Sequence, residues 1–169
     1  YCFGDINLKP DTTSIVKSRP IHNQSANAIL LNLNKVRHFI FVKDKIPFEK
    51  KMDKVIFRGK VNEGKTKRIA FFNKYFGNPL YDLGDTSRNG NPAWRTGKKT
   101  IAEHLRYKFI LALEGNDVAS NLKWVMSSNS VAVMPRPEFE TWFMEGRLIP
   151  NYHYIEIKPD FSDLEERIS

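Results

Sequence analysis

A single cysteine, Cys2, stands in the 169-residue sequence. One thiol cannot close an internal disulfide, nor can it build a zinc site of several cysteines. Long apolar runs are missing as well. None approaches the ~18 residues that a membrane-spanning helix needs, and no stretch has the order of a secretory signal. The four histidines, His22, His38, His104 and His153, show neither helical metal-ligand spacing nor a Ser-His-Asp grouping. Hydrolase and metalloenzyme chemistry therefore lacks carriers. Acidic charge is scarce too: 27 Lys+Arg face 19 Asp+Glu, a formal +8. Such an excess suits an anionic partner (nucleotide, nucleic acid, phosphorylated glycan or anionic lipid surface) and does not choose among them. The chain opens on YCFGDI without an initiator Met and stops in DLEERIS, so it is expected to be an internal piece of a longer protein.

What is present is a core. Hydrophobic residues make up 41% of the chain, too many for a disordered one. From residue 53 onward, short apolar runs alternate with longer helical stretches. KVIFR (54–58), LYDLG (80–84), KFILALEG (108–115), SVAVMP (130–135) and HYIEIKP (153–159) read as strands. KTKRIAFFNKYF (65–76), DVASNLKWVMSSN (117–129), PEFETWFMEG (137–146) and DFSDLEERIS (160–169) read as helices. Thr100, with Glu103 three residues on, marks a capped short helix at TIAEHL. This order predicts an α/β domain, a Rossmann-like parallel sheet covered on both faces. Residues 1–50 break the alternation and are assigned to the end of a preceding domain and its connection, with 51–169 as the sheet domain. Trp124 and Trp142 are expected in the core, and His153 in a structural role. The basic and aromatic stretch KVRHFIFVK (35–43) suits a domain junction or an anionic membrane surface, with RNA contact as an alternative.

The stretch GKVNEGKT (59–66) matches G-x-x-x-x-G-K-[ST] at every fixed position, after a strand and before a helix. A phosphate-wrapping loop would use its backbone amides, Lys65 and Thr66. It should be followed by a strand ending on an isolated Asp for the metal's water shell. Asp82, Asp85 and Glu114 fit that requirement poorly. A P-loop NTPase or kinase and an ordinary basic strand-to-helix turn both stay open on this pattern.

Four landmarks from VIFRG onward resemble glycosyltransferase family 90. They are Arg58-Gly59 after a strand, KFILALEG, ASNLKWVMSSNSVAVMP (119–135) and LIPNYHYIEIKPDFSDLEE (148–166). IVKSRPI and LLNLNKVRHF resemble that family's bacterial branch. The resemblance implies the C-terminal, donor-binding half of a GT-B-type enzyme with part of the preceding domain. It also implies inverting transfer of a sugar from a UDP-sugar, without a bound metal or cofactor, to a hydroxyl of a lipopolysaccharide core or other surface glycan. A cytoplasmic placement follows, peripheral at the inner membrane face, with no nucleic-acid partner.

On that resemblance the donor contacts fall at two strand-to-helix corners. The first offers Arg58, Gly59, Lys60, Lys65, Thr66 and Arg68; the second offers Glu114, Gly115, Asn116, Ser120, Asn121 and Lys123. Many family members carry Arg where Asn121 stands, which leaves Lys123, Lys65 or Arg68 to compensate. A solvated helix face is the alternative for Arg68, and a helix N-terminal charge the alternative for Glu114. GDINLKP (4–10) overlays the family's Asp-bearing segment, which makes Asp5 the general base; an ordinary Asp in a turn before Pro10 is the alternative. A basic, non-catalytic binding module is the third functional reading.

Overall fold

The computed structural model of the chain describes residues 10–22, 26–32 and 34–169. Asp5 lies outside them. The elements are β1 (Ser14–Val16), β2 (Arg19–Pro20), β3 (Ala28–Leu30), α1 (Lys35–His38), β4 (Met52–Gly59), α2 (Thr66–Tyr75) and β5 (Tyr81–Asp85). They continue as α3 (Ile101–His104), β6 (Tyr107–Leu111), α4 (Leu122–Val125), β7 (Val131–Met134), β8 (Phe139–Glu140), β9 (Ile155–Glu156) and α5 (Leu164–Ile168). Among the described residues no helix is long and apolar enough to cross a membrane.

Five strands form one parallel sheet in the order β5-β4-β6-β7-β9. The apolar run of β4 explains its central place: Val55, Ile56 and Phe57 are all buried, so neither face meets water. On one face Val55, Phe57, Leu111 and Val133 pack with Phe71 and Phe72 of α2 and Leu164 of α5. On the other face Ile56, Ile110 and Ala132 pack with Leu122, Trp124 and Val125 of α4. The expected mixed α/β fold with a covered parallel sheet is therefore present.

The strand order carries the functional consequence. From β4 the chain passes outward to β5, then returns to add β6 on the opposite side of β4. Connections that depart to opposite sides leave a gap above the carboxyl ends of the two strands, the usual ligand crevice of open α/β sheets.

The N-terminal part is built differently. β1 and β3 form a two-stranded parallel pair whose Val16, Ala28 and Leu30 pack on Met144. β2 pairs antiparallel with β8, and Arg19 reaches Glu140 at 2.8 Å. The stretch before β4 is anchored by Asp44, which accepts hydrogen bonds from Lys51 Nζ (2.7 Å) and the Asn129 amide (3.0 Å).

Several expected elements differ in extent. The helix expected over 137–146 is absent. Pro135 and Pro137 hold their predecessors extended, Phe139–Glu140 form strand β8, and Met144 takes a left-handed backbone before a single 3-10 turn. The helix expected over 117–129 shrinks to α4, because Asp117 is held by Lys17 (2.9 Å) and Ser18 (2.9 Å). At its far end Ser127 and Ser128 hydroxyls bond back to the Trp124 and Val125 carbonyls. The strand expected over 153–159 is reduced to β9, and the last helix begins at Leu164. Trp142 is 48% exposed and not in the core, whereas Trp124 is buried. The capping box of Thr100 and Glu103 is present as expected.

Candidate active site

The corner between β4 and α2 is pinned from beneath by Asp85. This carboxylate, fully buried at the end of β5, accepts the Val61 amide at 2.9 Å, the Ser87 amide at 2.8 Å and the Ser87 hydroxyl at 2.7 Å. The Lys65 amide turns inward as well, onto the Asn62 carbonyl at 3.0 Å. Two amides of GKVNEGKT are thus spent inside the protein, and the loop does not form the cage of free N–H groups that a P-loop closes around phosphates. Asp85 acts as a loop brace and has no metal-ligating neighbours: among the described residues no cluster of His, Cys, Asp or Glu could hold a metal ion.

Arg68, on the first turn of α2, joins the two corners. Its guanidinium donates to the carbonyls of Lys60 (3.0 Å), Leu113 (2.8 Å) and Glu114 (3.2 Å). Three of its five N–H groups are used this way and none meets a carboxylate. Burial pulls its pKa down from the usual value, as expected for a cation kept from water without a counter-charge. The solvated-face alternative does not hold. The two glycines earn their positions around this side chain. A Cβ on Gly115 would lie 2.9 Å from Arg68 Nη2, and one on Gly59 would lie 2.8 Å from the Phe57 ring and 3.6 Å from Arg68 Nη1.

Around this brace opens a crevice of about 550 Å³. Ten of the twelve residues expected to face a donor border it: Arg58, Gly59, Lys60, Lys65 and Arg68 from the first corner, and Gly115, Asn116, Ser120, Asn121 and Lys123 from the second. The Lys60 side chain is exposed and its ammonium makes no hydrogen bond or ion pair among the described residues. Lys65 Nζ donates to Asn116 Oδ1, tying one corner to the other.

The other side chains are committed in ways that the sequence did not disclose. Arg58 runs sideways along the sheet, donating to the carbonyls of Phe57 (2.9 Å) and Asp82 (2.7 Å) and to the Asp82 carboxylate. Its Nε is buried without a partner. Burial alone would raise the Asp82 carboxyl, but the Tyr107 hydroxyl and the Arg58 guanidinium outweigh it and hold it below its usual value. The same contact, added to burial, pushes Tyr107 up to about 12. Lys123, expected to compensate for Asn121, is itself buried against Glu145 at 3.0 Å. Asn121 donates to the Leu111 carbonyl at 2.9 Å and so closes the end of β6.

Thr66 and Glu114 stand apart. They border a smaller depression of about 100 Å³, lined also by Lys67, that meets the crevice at Lys65, Gly115 and Asn116. There Glu114 accepts the amides of Glu138 (3.0 Å) and Phe139 (3.2 Å) and pairs with Lys67 at 3.1 Å. Burial raises its carboxyl above the usual value despite those partners.

The crevice also includes residues that the sequence reading left aside. Lys17 and His38 enter from the N-terminal part, and Asn62 comes from within GKVNEGKT with its Oδ1 buried and unpartnered. Asn62 was within reach, since it sits in the most prominent loop of the chain. Lys17 and His38 carry no spacing signal, because only the folded N-terminal strands bring them here.

A family model described as Glycosyl transferase family 90 matches residues 29–169. The chain belongs to glycosyltransferase family 90. It is 43% identical to the O-glucosyltransferase LpsA of Dichelobacter nodosus over 167 residues, which are 98% of this chain and 52% of that protein. It is 26% identical to Protein O-glucosyltransferase 1 of Rattus norvegicus over 130 residues, 71% of this chain and 32% of that one. The family 90 chain therefore spans about half the length of its bacterial relative and a third of the rat one.

Proposed function

We propose that this family 90 chain is the donor-holding part of an inverting glycosyltransferase of GT-B type, moving a sugar from a UDP-sugar to a hydroxyl of a lipopolysaccharide core or another surface glycan. The observation that carries this reading is a single crevice at the strand-order switch, bordered by both corners and crossed by the uncompensated cation of Arg68. Departure of UDP leaves negative charge on a diphosphate, and Lys60, Lys65 and the two remaining N–H groups of Arg68 supply the opposite charge without a metal. The crevice volume suits a nucleotide-sized ligand. The names of both relatives favour glucose as the transferred sugar. Asp5 is proposed as the base that takes the acceptor proton. Arg58 is a positioning residue in this scheme, since its guanidinium is occupied by Asp82.

Calorimetric titration with UDP, in EDTA and again in Mg²⁺, tests the reading. The expected result is equal affinity in both, reduced about tenfold by Lys60→Ala, the loss of one charge-assisted contact. Binding that requires Mg²⁺, prefers ATP and vanishes in Lys65→Ala would instead establish a P-loop enzyme. Indifference to UDP, together with steeply salt-dependent nucleic-acid binding, would establish a basic binding module.

A further inference from the structure

The connection from β5 to α3 has a composition unlike the rest of the chain. Between residues 86 and 100 it carries Arg88, Arg95, Lys98 and Lys99 and no acidic residue. Lys99 reaches Asp82 at 3.7 Å. Arg88, Arg95 and Lys98 are exposed and meet no carboxylate among the described residues. The segment is well braced. The Thr96 amide bonds to the Asp85 carbonyl at 2.9 Å, Asn91 accepts the Ala93 amide at 3.0 Å, and Arg95 donates to the Arg88 carbonyl at 2.9 Å. Trp94 is anchored on α2, its ring 5.3 Å from Phe72 and 6.4 Å from Phe76. Phe76, at the end of α2, is 38% exposed beside it.

We propose that this flank docks the protein on an anionic lipid bilayer. The cations lie along the outer edge of the sheet, where the segment runs beside β5 through the Asp85–Arg95 bridge. A row on an outer edge fits a planar charged surface, whereas a polyanion seated in a groove would need cations on facing walls. Basic side chains around a partly exposed aromatic pair are the composition of an interfacial contact. Because the segment is held in place before binding, little ordering entropy opposes docking. Thr86, at its start, borders the donor crevice, so docking would hold that crevice beside the bilayer, within reach of a lipid-linked glycan. The inference goes beyond the donor-site reading and does not depend on it.

Vesicle sedimentation decides it, with phosphatidylcholine alone compared against phosphatidylcholine containing about one-third phosphatidylglycerol. The chain is expected to sediment with the anionic vesicles only and to be released by high salt. The triple substitution Arg88→Gln/Arg95→Gln/Lys98→Gln should lower partitioning by more than about tenfold, since each basic residue near an anionic surface contributes severalfold. A charge-matched triple in the segment before β4, Lys43→Gln/Lys45→Gln/Lys50→Gln, should change it by less than about twofold. All six side chains are exposed, so matching circular dichroism and melting temperatures confirm that the fold is intact. No binding by the wild type, equal binding to neutral vesicles, equal losses in both triples, or loss only in the second would each overturn the proposal. UDP affinity is expected to be unchanged in both triples. A wild type that sediments but does not bind UDP removes the donor reading and leaves this one, and the converse removes only this one.

Discussion

Gly115 sits where the Arg68 guanidinium leaves room for a hydrogen and nothing larger, so a methyl group there is a direct probe of the brace. Gly115→Ala places its Cβ 2.9 Å from Nη2 and 3.3 Å from Cζ. Arg68 must then give up its bonds to Leu113 and Glu114 or push the corner open. We expect a loss of about 1–3 kcal/mol in urea unfolding, typical of forced overpacking, together with weaker UDP binding in calorimetry. Unchanged UDP affinity would mean that Arg68 does not shape the crevice. Asp82 offers a second probe at this scale. Its carboxyl ionises below the usual 3.8 in the folded chain. The ionised form therefore stabilises the fold at neutral pH, and that contribution is lost as pH falls from about 3.8 through the lower folded value. Asp82→Asn removes the titration, so its melting temperature should fall less steeply in that acid range than the wild type's. Parallel slopes would detach Asp82 from the stability of the Arg58 network.

Between elements, the buried contacts that hold the crevice walls were the part least legible in the sequence. Lys123 looked like a candidate phosphate ligand because it follows a strand-to-helix corner, yet its partner Glu145 is 22 residues away, on a 3-10 turn that read as helix. Period-based reading failed there for a definable reason. PEFETWFMEG has helical spacing, but the pairing of Phe139 and Glu140 with β2 overrides that preference. By contrast β4, α2 and the Thr100–Glu103 cap were readable, since their signals are contained within the segment itself. Lys123→Met strips the Glu145 carboxylate, only 1% exposed, of its ammonium partner. We expect it to cost about 3–5 kcal/mol in chemical denaturation, the usual penalty for breaking a buried pair from one side. The double variant Lys123→Met/Glu145→Gln should recover part of that loss. If the double variant is as unstable as the single one, the pair is not the link between α4 and the turn.

For the whole molecule, alternation along the chain disclosed the parallel sheet, but the crevice depends on the order in which the strands are laid down. That order places Gly59, at the end of β4, and Gly115, just beyond the end of the adjacent β6, at one opening although 56 positions separate them, and no local pattern encodes it. Lys17 and His38 reach the same opening from a separately built N-terminal part, which again is a property of assembly. Such an arrangement has a distinctive response to ligand. A UDP molecule touching both corners should slow amide exchange at both together, because Arg68 and the Lys65–Asn116 contact couple them. In hydrogen-exchange mass spectrometry, peptides covering 59–68 and 113–121 should gain protection in parallel as UDP is added, while 88–99 stays unchanged. At saturation near 100-fold over the dissociation constant, global stability should rise by about 2.7 kcal/mol. Protection confined to 59–66 would place the phosphates in the first loop alone, and the shared crevice would fall as the proposed nucleotide site.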